Sequence, residues 1–66
     1  MNIQELANSK GVELLAFYNN VALCDRKHGV HPFVTWRFDG DGFFWGHYAD
    51  TKENAEIEFK ERIAAR

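Results

Sequence analysis

Cys24, His28, His31 and His47 are the four soft or borderline metal ligands of this 66-residue chain. A cysteine beside histidines raises two kinds of chemistry. Zinc takes four such ligands in a tetrahedron, and a domain this small can use a metal as a staple. The spacing Cys-x3-His-x2-His is not a zinc spacing, however, and strand alternation need not bring Cys24 and His47 together. The ordinary reading is a buried thiol with solvent-facing histidines near a loop, so neither metal nor cofactor is expected. Nucleophilic catalysis would fall to Cys24 with His28 or His31 as its base. Against it, a free cysteine behaves as a small buried hydrophobe, and a chain this short has little room for a pocket of several hundred Å3. No catalytic residue is assigned and the chain is read as non-enzymatic.

Asp39-Gly40-Asp41-Gly42 opens like a calcium loop, but an EF-hand needs oxygen ligands at alternate positions and a closing Glu, where Phe43, Phe44 and Trp45 follow here. Asp and Gly in this run supply turn geometry instead. Around the turn, residues 31–50 (HPFVTWRFDGDGFFWGHYAD) hold seven of the ten aromatic residues. Rings on a sheet face, with Arg26, Lys27 and Arg37 nearby, can stack single-stranded bases. The chain carries no RNP-like sequence, and most of these rings are expected in the core.

The net charge of −2 and a pI near 5.8 oppose a generic electrostatic grip on nucleic acid or on an anionic membrane. The helix carrying Glu53, Glu56, Glu58 and Glu61 can face a basic surface, but interleaved Lys52, Lys60, Arg62 and Arg66 make it read as a solvated helix. The longest apolar run, residues 14–18, is five residues, far short of the roughly 20 that cross a bilayer. A lone cysteine forms no internal disulfide, and the N-terminus lacks the basic and apolar regions of a signal peptide. A cytoplasmic protein without membrane association is expected.

These residues must be positioned by a single small domain, residues 1–66. Residues 2–10 predict a short helix: Asn2 caps it, Glu5 reaches back in a capping box, and Gly11 suits the left-handed residue that ends it. Residues 12–26 admit two readings. As strands, Val12 to Tyr18 and Val21 to Arg26 flank an Asn19-Asn20 turn, with Glu13 facing Arg26. As a helix, Leu14, Phe17, Tyr18 and Val21 continue the stripe of Ile3, Leu6 and Ala7. The strand reading is favoured because Ser9-Lys10-Gly11 reads as an ending, and Gly inside a helix costs about 1 kcal/mol.

Residues 31–50 alternate with period two and predict a hairpin. A two- or four-residue loop pairs Phe38 with Phe43 and Trp36 with Trp45, putting Val34, Trp36, Phe38, Phe43, Trp45 and His47 on one face. A three-residue loop brings Phe44, Gly46 and Tyr48 there instead. Either register leaves rings on both faces. A helix from about Lys52 to Ala65 follows, capped by Asp50, with Ala55, Phe59 and Ile63 on one side and Glu56–Lys60 and Glu58–Arg62 as i,i+4 pairs.

The run HPFVTWRFDGDGFFWGHYAD followed by TKENAEIEFKERI resembles small accessory proteins of bacteriophages, prophages and other mobile elements. The resemblance covers the second half of the chain and implies a role in binding, and sometimes inhibiting, a host or phage protein. The fold expected is α+β: a short N-terminal helix, an antiparallel sheet of three or four strands, and a C-terminal helix packed on it. Trp36 and Trp45 are expected to meet that helix through Phe59. The binding face is assigned to Phe33, Arg37, Phe44 and Tyr48, and its partner is a protein. A homodimer is one way to cover it, and single-stranded nucleic acid is the alternative ligand.

Overall fold

The computed structural model describes residues 2–40 and 42–64. Helix α1 (Ile3–Lys10) starts and stops on local chemistry. The Asn2 side chain accepts from the Glu5 N–H at 2.8 Å while the Glu5 carboxylate accepts from the Asn2 N–H at 3.1 Å. Gly11, at φ 72°, ends the helix, and the Val12 N–H turns back to the Ala7 carbonyl at 3.1 Å. Strands β1 (Glu13–Tyr18) and β2 (Val21–Asp25) follow, which resolves residues 12–26 as a hairpin. Asn19 and Asn20 both sit at positive φ (53° and 62°), the geometry a two-residue hairpin turn demands.

Strands β3 (Phe33–Phe38) and β4 (Phe43–Ala49) and helix α2 (Lys52–Ala64) complete the chain. The sheet is an antiparallel meander in the order β1-β2-β3-β4. The fold is α+β, with the C-terminal helix packed on the sheet. Thr51 rather than Asp50 caps α2: its hydroxyl accepts from the Asn54 N–H at 3.1 Å, and Asp50 accepts from the Asn54 side chain. Asn19 donates its side-chain amide to the Ile63 carbonyl at 2.9 Å, tying the last turn of α2 to the first hairpin. The expected last helical residue, Ala65, lies outside the described residues.

Two bulges decide which side chains share a face. In the first hairpin the register slips between Leu14 and Ala16. Glu13 therefore pairs with Asp25 rather than Arg26, and its carboxylate meets Lys27 at 3.1 Å. In the second hairpin Phe38 pairs with Phe43 and Arg37 with Phe44, after which Thr35 pairs with His47 and Val34 with Tyr48. Trp45 and Gly46 thus oppose Trp36 alone, two residues against one. The hairpin begins in one of the registers expected from sequence and ends in the other.

The sheet consequently has two unlike faces. One is covered by α2 and holds Leu23, Ala49 and Ala55, ringed by Leu15, Ala16, Phe33 and Phe59. Thr35 lies fully buried there and receives the Arg62 guanidinium at its carbonyl (2.9 Å) and hydroxyl (3.2 Å). Glu58 turns to His47 at 3.2 Å, in place of a dedicated pair with Arg62. The other face holds Ala22, Cys24 and Val34, overlaid by Ile3, Val12, Leu14, Trp36 and Phe43. Helix α1 packs on β1 at the border of this second face.

That arrangement corrects two expectations. Trp36 belongs to the face away from α2, and Trp45 is 70% exposed, so neither reaches the C-terminal helix through Phe59. Nor do the rings form the core: none of the ten aromatic side chains is buried, and the largest fully buried ones are Val21, Val34, Thr35 and Cys24. A single sheet with one full-length helix has a thin middle. Small residues fill it, and the rings lean over them from outside.

Candidate functional site

The residues with the most reactive side chains do not meet. Cys24 is fully buried, and burial pushes its thiol from 9.0 up to about 12, which keeps it protonated and unreactive at neutral pH. His47 lies on the α2 side, paired with Thr35, whereas Cys24 points to the opposite face alongside Val34. His28 and His31 are exposed in the loop between β2 and β3. Among the described residues no three His, Cys, Asp or Glu side chains gather as metal ligands do. The turn after β3 is held by the Asp39 carboxylate, which accepts from the Gly42 N–H at 2.9 Å, with Gly40 at φ 98°.

The built feature is a chain of rings on the face away from α2. Phe17 of β1 meets Phe38 edge-on, with centroids 5.7 Å apart. Phe38 meets Phe43 at 6.1 Å, and Phe43 lies stacked on Trp36 at 4.7 Å and 8°. Trp36 in turn meets the edge of Tyr48 at 6.3 Å, and the Arg26 guanidinium sits 4.9 Å above the Tyr48 ring. Five rings and one cation therefore form a continuous stripe that runs from the two hairpin turns to the β2–β3 loop. Offset and edge-on ring pairs each contribute about 0.5–1.5 kcal/mol beyond area burial, so the stripe holds its shape without a covering layer.

Gly46 makes the stack possible. A Cβ at this position would stand 2.6 Å from the Trp36 indole nitrogen, so only glycine lets the indole lie down across β4. Trp45, the first bulge residue, adopts φ 54°, a left-handed conformation that costs a non-glycine residue roughly 1–2 kcal/mol. Its ring leaves the stripe and packs on Phe44 at 5.0 Å on the outer edge of the sheet.

The four residues assigned from sequence are divided by the sheet. Phe33, Arg37 and Phe44 are half-buried and fall on the α2 side, where Phe33 borders the Leu23–Ala49–Ala55 cluster. Burial and the neighbouring Arg37 draw the Arg62 pKa down, opposed by Glu58. Only Tyr48 of the four lies on the ring stripe, 52% exposed. Phe17, Trp36, Phe38 and Phe43, which make most of it, are not among those four. Alternation in β3 did group Trp36 with Phe38 and Phe43; the side taken by α2 was the missing fact.

Beside the stripe, Arg26, Gly29, Val30, His31 and Tyr48 line an open depression of about 450 Å3. Val30, 80% exposed, stands at its rim. No helix among the described residues is long and apolar enough to cross a membrane. Comparison with family models, curated proteins and solved structures finds no match for this chain.

Proposed function

We propose that this chain is a non-enzymatic protein-binding module whose docking surface is the ring stripe Phe17–Phe38–Phe43–Trp36–Tyr48. The observation that carries the reading is that none of the ten aromatic residues is buried while five of them are joined ring to ring on the face that α2 leaves open. A contiguous apolar patch on a small protein marks an interaction site, and aromatic residues with an arginine are what protein interfaces are enriched in. The buried, protonated thiol and the scattered histidines favour binding over chemistry. The resemblance of the second half of the chain to mobile-element accessory proteins is in keeping with a host or phage protein as the target.

A single-stranded nucleic acid is the second reading, favoured by one observation: the stripe ends in Arg26 over Tyr48 beside a loop that carries Lys27, His28 and His31. Base stacking on rings with a nearby cation is how such sheets hold single strands. The net charge of −2 opposes it. Titrating labelled single-stranded DNA and RNA at two salt concentrations separates the readings, because phosphate contacts weaken steeply with salt and apolar burial does not. Protein capture that survives moderate salt and is lost in Tyr48→Arg supports the module. Tight, salt-sensitive oligonucleotide binding by a monomer rejects it.

A further inference from the structure

We propose that the outer edge of β4 and the flank of α2 beside it form a second docking site, separate from the ring stripe except at Tyr48. Its occupant is a short extended segment of a partner protein that alternates basic and apolar side chains. β4 is the last strand of the sheet, with β3 on one side and no strand on the other. Such an edge offers unpaired N–H and C=O groups to an incoming chain. The bulge at Trp45 and Gly46 interrupts it, which leaves His47 to Ala49 as the regular stretch beside α2. A long strand, such as one from a second copy, would lose its register at the bulge, whereas a short segment fits. The opposite edge strand, β1, has α1 packed against it.

A depression of about 430 Å3 runs beside this stretch and decides what the segment carries. Its apolar part is Tyr48 with Ile57, both exposed. Its charged part is Asp50, Glu58 and Glu61, and no Lys or Arg lines it. Glu58 meets His47 at 3.2 Å and Asp50 accepts from the Asn54 side chain at 3.3 Å, but no ion pair forms on Asp50 or Glu61 among the described residues. Arg26, stacked on the Tyr48 ring at 4.9 Å, lines the neighbouring depression instead. The three carboxylates do not converge as metal ligands do. Spread along a rim, they match basic side chains spaced along a chain.

Alternation sets the pattern of the segment. His47 and Ala49 turn to the α2 side and Tyr48 to the ring side. A strand added to β4 alternates in the same way, so every second residue faces the carboxylates and the residues between them face Tyr48. Lys and Arg suit the first set, because their aliphatic stems cover Ile57 while their charges reach the rim. β-Branched residues suit the second.

The test is an NMR titration of the isotope-labelled full chain with a blocked heptapeptide alternating Lys and Val, with Glu in place of Lys as the control. Saturable amide shifts are expected at His47 to Ala49 and along α2 from Asn54 to Glu61, with steady signals at Phe17 and Phe38. Glu58→Lys together with Glu61→Lys should weaken binding at least about tenfold with an unchanged circular dichroism spectrum. Of two peptides N-methylated at alternate residues in opposite phase, one should lose binding, because its methyl groups replace the donors that pair with the strand edge.

No saturable binding at millimolar peptide overturns the site and leaves the ring stripe untouched. Equal binding of the Glu peptide, or shifts at Phe17 and Phe38 in place of α2, overturns it as well. Equal binding of both N-methylated peptides overturns strand addition. Shifts in the same stretch when the chain alone is concentrated make the occupant a second copy and overturn the partner segment. Protein capture that is lost in Tyr48→Arg but kept in the double Glu variant belongs to the stripe alone.

Discussion

The two faces of the sheet use the same strands and reach opposite solutions. On the α2 side, Ala49 and Ala55 are small enough for the helix to come close, Leu23 fills the gap between them, and the Thr35 hydroxyl and carbonyl are satisfied by Arg62. On the other side Ala22, Cys24 and Val34 are equally small, but Trp36 and Phe43 lie across them together with Val12, Leu14 and Ile3 of the short helix α1. The first face is closed by α2 over small aliphatic residues, with Phe33 and Phe59 at their border and one half-buried, hydrogen-bonded arginine. The second is covered by α1 only at its β1 border, and the rest of its outer surface is aromatic. The aromatic residues of this chain therefore lie around the core and on its surface, and the fully buried centre is built of residues no larger than leucine.

That contrast can be broken most sharply by truncating one side chain on each face. Leu23→Ala on the α2 face should cost about 2–5 kcal/mol, a large part of the stability of a small domain, and leave it substantially unfolded in urea titrations. Tyr48→Ala on the ring face, at a half-exposed position, should cost under about 1.5 kcal/mol, the worth of its ring contact. Comparable losses at the two positions would show that the rings carry the fold after all.

Alkaline pH probes the layer between the faces. The folded Cys24 thiol titrates near 12 against 9.0 ordinarily, so the unfolded chain releases this proton first as pH rises. The contribution is intact below pH 9 and is lost between pH 9 and 12, by about 1.4 kcal/mol per unit. Subtracting the pH profile of Cys24→Ala isolates this loss from other titrating groups. Parallel profiles for the two proteins would mean that the thiol reaches solvent.

Gly46→Ala sharpens the comparison on the ring side alone. The added methyl must displace the Trp36 indole, so a cost of about 1–3 kcal/mol is expected together with a changed near-ultraviolet circular dichroism signal from the broken Trp36–Phe43 stack. An unaltered spectrum would place the indole elsewhere. The smallest effect expected is at Asn20→Gly, where glycine relieves a positive φ in the first turn without touching either face. A gain of under about 1 kcal/mol, the strain relieved less the freedom glycine adds to the unfolded chain, should appear as a modest rise in melting temperature. A loss would point to a further role for the Asn20 side chain.

Much of the fold was legible because its signals are local. Asn2, Glu5 and Gly11 set the limits of α1 within ten residues, Asn19-Asn20 supplies a turn that few other pairs accept, and β3 alternates plainly. The face assignment was less legible. Phe33, Arg37 and Phe44 were placed with Tyr48 on the premise that β4 keeps one register throughout, and Trp45 with Gly46 breaks it. Nothing within β4 itself announces a bulge led by tryptophan, because the residue that requires it, Trp36, sits on the neighbouring strand.

The sequence by itself determined α1, the second hairpin and α2, and favoured strands over a helix at residues 12–26, since caps, turn residues and hydrophobic period act over a few positions along the chain. Only the tertiary structure decided where the two registers slip and which face of the sheet α2 covers. Those choices depend on how Gly46 admits an indole, how Ala49 and Ala55 admit a helix, and how Arg62 finds Thr35. Each is a contact between residues distant in sequence or on different strands, and its energy exists only once the strands are paired.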